Sequence, residues 1–188
     1  RTAGAGNSGS ITLSLTEDLL LNDNAFILVD SIASATGNAG SIEIQAKNIL
    51  SFDSIISSST SSIGQGGAIS LVVDNDLTVS GIFTGIFANT FGTGNAGSID
   101  IQAQSMNMID STVSSSTNSV GRGGSISIAL TEDLTVEGLS GGLVASGVVF
   151  AGILTNSLGE SNAGNIEIQA KNLEVSSGAH ISGTTFGD

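Results

Sequence analysis

The chain has 188 residues, 26 of them glycine, with no Pro, Cys, Trp or Tyr, and 4 Lys or Arg stand against 17 Asp or Glu for a formal charge of −13. Zero cysteine excludes a disulfide framework, a zinc knuckle, an iron–sulfur site and a thiol nucleophile. So acidic a chain, with its few cations scattered, argues against nucleic acid and anionic membrane surfaces as partners.

Apolar residues never run to the ~18 of a membrane span, and no basic-then-apolar signal segment opens the chain. It starts at Arg1 and is expected to be a section or processed product of something longer. Along it a glycine-rich turn recurs six times. These turns are Gly6-Asn7-Ser8-Gly9, Gly37-Asn38-Ala39-Gly40, Gly64-Gln65-Gly66-Gly67, Gly94-Asn95-Ala96-Gly97, Gly121-Arg122-Gly123-Gly124 and Ser161-Asn162-Ala163-Gly164. Their last glycines are spaced by 31, 27, 30, 27 and 40 residues. Two positions after each comes isoleucine, at Ile11, Ile42, Ile69, Ile99, Ile126 and Ile166, and two further on Leu13, Ile44, Leu71, Ile101, Ile128 and Ile168. Strict alternation of apolar with small or polar residues marks strands with one buried face.

The third inward position separates two kinds of unit, reading Leu15, Ala46, Val73, Ala103, Leu130, Ala170. Odd units continue into a three-residue turn, Thr16-Glu17-Asp18, Asp74-Asn75-Asp76 and Thr131-Glu132-Asp133, before Leu19, Leu77 and Leu134. Even units use two residues, Lys47-Asn48, Gln104-Ser105 and Lys171-Asn172, before Ile49, Met106 and Leu173. The true period is a pair of units, 57 residues from Ile42 to Ile99 and from Ile69 to Ile126. Short strands at a period near 30, without a helical pattern, predict an all-β solenoid in which like residues stack in columns. The expected form is a right-handed parallel β-helix of six coils, about 6–36, 37–63, 64–93, 94–120, 121–160 and 161–188. At ~4.8 Å per coil it spans about 29 Å. The fifth coil carries a side insertion centred on residues 138–146, because Val148–Leu154 resumes the pattern of Ile82–Phe87. Asn7, Asn38, Asn95 and Asn162 fall in one column, where amides can satisfy turn backbone groups.

Both termini lie at one phase of the repeat, since Thr2–Gly9 matches Thr90–Gly97 and the chain closes on Thr185-Phe186-Gly187-Asp188. Neither end reads as a polar cap, so either the solenoid continues covalently or copies meet head to tail.

Candidate chemistry follows the columns. Gly4–Gly9 and Gly92–Gly97 match G-x-G-x-x-G, but they lead into strands, whereas a dinucleotide site needs a helix N-terminus after the turn, so no cofactor is expected. Glu43, Asp100 and Glu167 share one outward strand position, and Asp18, Asp76 and Asp133 one turn position, each recurring in every second coil. Carboxylates that follow a repeat read as a solvated acidic face; weak Ca2+ binding at Asp18, Asp76 and Asp133, with Glu17, Asp74 and Glu132 beside them, is the second reading. His180 has no nucleophile or acid that spacing places beside it and reads as a surface residue at a turn of the last coil, so no catalytic residue is expected. The tracts Ser57–Ser62 and Ser114–Thr117 occupy equivalent places two coils apart. They read as β-compatible small residues at a tight corner, or as a hydroxyl-rich face for glycan, ice or another solenoid.

The motif Gly37-Asn38-Ala39-Gly40-Ser41-Ile42-Glu43-Ile44-Gln45-Ala46-Lys47-Asn48, with Thr90-Phe91-Gly92 closing a coil, resembles the repeats of filamentous-haemagglutinin-like exoproteins of Gram-negative bacteria. The resemblance is strong in the even coils and looser in the odd ones. It implies a right-handed β-helical shaft, two-partner secretion of the parent through an outer-membrane transporter, a place at the cell surface or outside it, and roles in adhesion, aggregation or extracellular fibres. The secretion domain that engages such a transporter is not among these residues. A non-catalytic shaft, with self-association and contact to cell-surface glycans as its partners, is thus the first expectation. A carbohydrate-binding or carbohydrate-cleaving β-helix is the alternative, for which no Trp or Tyr platform is available.

Overall fold

The computed structural model describes residues 5–32, 36–138, 151–159 and 161–186. Its regular structure is β throughout, and the described residues contain no helix. The expected side insertion lies, Gly138 apart, outside the described residues.

Six strands, Ser10–Ser14, Ser41–Ala46, Ala68–Val73, Ser98–Ala103, Ser125–Leu130 and Asn165–Gln169, stack in chain order as one parallel sheet. The register sets Ile11, Ile42, Ile69, Ile99, Ile126 and Ile166 directly over one another. Parallel neighbours one coil apart in sequence define a β-solenoid, here of six rungs. A second face runs through Leu19–Leu21, Ile49–Phe52, Asp76–Phe87, Ser105–Ser114, Asp133–Glu137 and Asn172–Ser176. The two long strands bend and carry on into a third face, which they share with Phe26–Leu28, Ile55–Ser57, Gly152–Leu154 and His180–Ser182. Single parallel bridges then link Ser31, Thr60, Thr90, Thr117, Ser157 and Thr185 in a last column.

Each face contributes one wall of the core. The first supplies the isoleucine columns; the second stacks Ile49, Leu77, Met106 and Leu134 and the third stacks Ile56, Ile86, Val113 and Ile153, these eight at most 1% exposed. The alternating column is also internal, with Ala46, Val73, Ala103 and Leu130 buried. Where Ala103 leaves room, the same rung places Met106 and Met108 inside, long unbranched chains suited to irregular gaps. Leu15 belongs to this column by register yet is 37% exposed, because it lies on the first rung.

The turn glycines are required by the stacking. A Cβ on Gly40, Gly67, Gly97, Gly124 or Gly164 would overlap the carbonyl oxygen of the glycine one rung before it, at Gly9, Gly40, Gly67, Gly97 and Gly124 respectively. All five of these N–H groups cross the turn to close it, Gly40 to the Val29 carbonyl at 3.1 Å, Gly67 to Ser58 at 2.8 Å, Gly97 to Ala88 at 2.7 Å, Gly124 to Ser115 at 2.9 Å and Gly164 to Thr155 at 2.8 Å. One glycine per turn thereby lets rungs approach at ladder distance while the backbone hydrogen bonds are kept.

Two substitutions test the inward and outward assignment. Ile99→Asp buries an unpaired charge and is expected to unfold the middle rungs, whereas Glu43→Lys, on an exposed outward position, leaves a denaturant melt nearly unchanged. Ala103→Leu overpacks the alternating column and is expected to cost about 1–3 kcal/mol. Gly97→Ala forces two rungs apart and should cost more than the ~1 kcal/mol of an average point mutation, while Gly9→Ala, with nothing within 4 Å of its Cβ position, serves as the tolerated control.

Candidate functional site

Four side-chain columns run along the axis and carry most of the polar chemistry of the described residues. The first is the asparagine column. Asn7 Oδ1 accepts the Asn38 N–H, Asn38 Oδ1 the Gln65 N–H and Asn95 Oδ1 the Arg122 N–H, each at 2.9 Å. These side chains are exposed and reach along the axis, satisfying the turn of the next rung. Asn162 occupies the same position in the sixth turn. With the glycines they line a long shallow trough on one edge of the solenoid.

The second column is the corner between the first two faces. Lys47 Nζ lies 3.1 Å from Glu17 Oε2, and Asn48 Nδ2 donates to Asp18 Oδ1 at 2.7 Å. Four rungs on, Lys171 meets Glu132 at 2.8 Å and Asn172 Nδ2 donates to Asp133 Oδ1 at 2.7 Å. Of the carboxylates whose second reading is weak Ca2+ binding, Asp18 and Asp133 therefore already hold a partner; at Asp76 it is the backbone N–H that donates to Asn48 Oδ1, at 3.2 Å. Among the described residues no three His, Cys, Asp or Glu gather as a metal-binding group. Hydrogen bonding to Glu17 and then its charge hold Lys47 above its ordinary value of 10.5, and Glu132 does the same for Lys171. A raised cationic pKa stabilises the fold fully below the ordinary value and loses that contribution as pH climbs through the folded one. Both pairs are exposed, so the effect is small and salt-sensitive.

The third column is the outward acidic one on the first face, where Glu43, Asp100 and Glu167 alternate in register with Ser70 and Ser127. Successive carboxylates stand two rungs apart, about 10 Å. Gln102 Nε2 donates to Asp100 Oδ1 at 3.2 Å.

The fourth column lies on the third face and was not among the candidates from sequence. Asp30 Oδ1 accepts from Ser57 Oγ at 2.7 Å and from the Ser59 N–H at 2.8 Å. Two rungs on, Asn89 Oδ1 accepts from Ser114 Oγ and the Ser116 N–H, both at 2.8 Å. Two rungs further, Asn156 Oδ1 accepts from Ser182 Oγ at 3.1 Å and the Thr184 N–H at 3.0 Å. The hydroxyls link onward, Ser57 to Ser59 at 2.9 Å and Ser114 to Ser116 at 3.0 Å, and Ser59 Oγ in turn accepts the Asn89 N–H at 3.2 Å. An Asx residue of each odd rung thus fastens two serine-type positions of the even rung that follows. The sequence signal was present, an Asx directly before the bridging hydroxyl in Asp30-Ser31, Asn89-Thr90 and Asn156-Ser157.

The serine tracts accordingly do not form a presented hydroxyl face. Ser58, Thr60, Ser115 and Thr117 are 0% exposed, and Ser57, Ser59, Ser62 and Ser114 are buried too. The tight-corner reading fits them, because small hydroxylated side chains can turn inward and find carbonyls: Ser58 Oγ donates to Gly40 at 2.6 Å and Ser115 Oγ to Gly97 at 2.7 Å. Phe26, Leu28, Phe87 and Phe91 line a groove there together with Ser57 and Ser59. His180 starts the last short strand rather than sitting in a turn; it is half-buried, its Nδ1 3.0 Å from the Gly178 carbonyl.

No protein family, curated protein or solved structure matches the chain.

The fastening column predicts a graded series at one position. Asn89→Leu leaves the Ser116 N–H and Ser114 Oγ without their acceptor and is expected to cost about 1–3 kcal/mol in a thermal or denaturant melt. Asn89→Asp keeps the acceptor, as Asp30 does in the first rung, and should retain most of the stability.

Proposed function

We propose that this chain is a structural segment, a rigid non-catalytic shaft of a secreted bacterial surface adhesin or extracellular fibre. The observation that carries the reading is the recurrence of the same side-chain fastenings at a fixed axial interval. The Asx–serine contact appears at Asp30, Asn89 and Asn156, and the Lys–Glu and Asn–Asp corner at both ends of the described stack. Side chains committed to the next rung serve cohesion along the axis. A catalytic centre would instead gather unlike groups at one place and interrupt the repeat. The carboxylates of the outward column, two rungs apart at about 10 Å, are too far apart for the ~5–5.5 Å of a retaining glycosidase pair.

The resemblance to filamentous-haemagglutinin-like repeats supports the same reading and brings with it export of the parent by an outer-membrane transporter and residence at the cell surface. It also suggests adhesion or aggregation as the role of the whole. Within the chain the step from an even rung to an odd one is made twice, between rungs 2 and 3 and between rungs 4 and 5. The sixth rung, of even type, offers that same contact to a rung of odd type, whether in further chain or in a second copy. A heterologous contact of this kind does not close and so extends the shaft into a fibre.

Electron microscopy and fibre diffraction of the native material test this directly. Thin unbranched rods with an axial repeat near 4.8 Å are expected. Compact particles that stay monodisperse at high concentration would overturn fibre assembly, and specific retention on a glycan array, lost on Phe91→Ala, would favour the carbohydrate-binding alternative over the bare shaft.

A further inference from the structure

At the bend between the second and third faces the chain turns sharply, and several residues there adopt left-handed conformations. Asp53 has φ 46°, Gly81 113°, Asp110 53° and Ser177 53°. Asp tolerates this region better than most residues, which accounts for the local conformation. It does not account for what the side chains at rungs 2, 3 and 4 do.

Rung 3 is longer than its neighbour at this point. Ser80 pairs with Ile109 and Thr84 with Ser111, so residues 81–83 arch outward opposite the single residue Asp110. Thr84 is 1% exposed, and its Oγ1 makes no hydrogen bond; the buried Oδ1 of Asp110 makes none either. Two orphaned buried oxygens at one bend stand out in a fold where most other buried hydroxyls find a hydrogen-bond partner. On the opposite side, Asp53 of rung 2 points its Oδ1 at the same arch. A Cβ added to Gly81 would strike Asp53 Oδ1 and would stand 2.9 Å from Thr84 Oγ1, so both oxygens converge on the space that glycine leaves open.

We propose that this bend binds a hard cation of the Ca2+ class between Asp53 Oδ1 and Thr84 Oγ1, which meet at the Gly81 space, with the unpartnered Asp110 carboxylate, set opposite the same arch by the register, as the third donor. The chemistry of the set is oxygen only, with two charges from consecutive even rungs and one neutral donor between them. Ca2+ accepts such irregular sets, completing its 6–8 oxygens with carbonyls and water, whereas Mg2+ demands near-octahedral geometry. Binding removes the cost of an unpaired buried carboxylate oxygen and offsets two of the negative charges of the chain. Both Asp residues are only partly buried, which leaves the ion a path from solvent. The site is distinct from the corner column of Asp18, Asp76 and Asp133, where Asp18 and Asp133 already hold amides. It is also independent of the role proposed for the shaft, since it concerns the stability of the middle rungs.

The test is a thermal melt and a calorimetric titration of the purified chain, first stripped with a chelator and then supplied with CaCl2 or MgCl2. Ca2+ is expected to raise the melting temperature by several degrees, Mg2+ by much less, as linkage requires for an ion that binds only the folded state. Asp110→Asn and Thr84→Val should each weaken Ca2+ affinity at least tenfold, with the metal-free melt of Thr84→Val equal to or above that of the parent because an orphaned hydroxyl is removed. Asp133→Asn should leave the Ca2+ response intact. An unchanged melt on adding Ca2+, a response that survives in the Asp53→Asn, Asp110→Asn double variant, or one abolished by Asp133→Asn would each overturn the assignment.

Discussion

Everything in this molecule depends on one repeat distance, the ~4.8 Å between hydrogen-bonded parallel strands. Because each rung lies directly over the one before, every side chain meets its own counterpart at that distance. A position can persist only if its residue type packs or hydrogen-bonds with itself, or if unlike residues take turns. Isoleucine satisfies the first condition on the inner wall of the first face, as the unbroken register from Ile11 to Ile166 shows. At the turn an asparagine side-chain carbonyl reaches the backbone N–H of the next rung, which every non-proline residue carries, so Asn38, Gln65 and Arg122 serve there alike. Glycine satisfies the first condition where nothing larger fits.

Charge cannot satisfy the first condition, and the molecule uses the second. A continuous column of carboxylates at ladder distance would repel, since unit charges so close interact by about 1 kcal/mol even in water. Glu43, Asp100 and Glu167 are therefore interleaved with Ser70 and Ser127, and Glu17 and Glu132 are each followed by a lysine on the next rung. The same logic explains the volume alternation inside, where Ala46 separates Leu15 from Val73 and Ala103 separates Val73 from Leu130. Two rung types, and with them the 57-residue period, are thus a packing requirement that also solves an electrostatic one. The bend at Asp53, Thr84 and Asp110 departs from this economy, which is why its unpartnered oxygens stand out against a background of satisfied columns.

Much of this was legible in the chain itself. The solenoid, its rung types and its inward columns followed from alternation and from glycine spacing, because a ladder imposes its period directly on the sequence. The position of Asn38 and Asn95 in one column was readable as well, and their role as turn acceptors needed only the direction of the side chain. Three things were not readable. The serine tracts could be assigned to a corner or to a displayed face, since hydroxyls suit either, and only the location of the carbonyls of Gly40 and Gly97 decides that they turn inward. The fastening by Asp30, Asn89 and Asn156 joins residues 25–29 positions apart through side chains. Short-range patterning has no term for such a contact. Lys47 and Lys171 read as isolated cations, and it took the stacking of an even corner on an odd one to give them Glu17 and Glu132.

The sequence by itself determined what repeats: strand, turn, inward aliphatic and the alternation of large with small, all of which are local or periodic and are enforced rung by rung. The tertiary structure decided where the repeat breaks. The three-residue arch opposite Asp110 appears in sequence as a small difference in spacing between rungs. Only when the rungs are stacked does that difference bring Asp53, Thr84 and Asp110 to one bend, because which side chains meet across the axis depends on the register of the ladder and on no property of the residues taken singly.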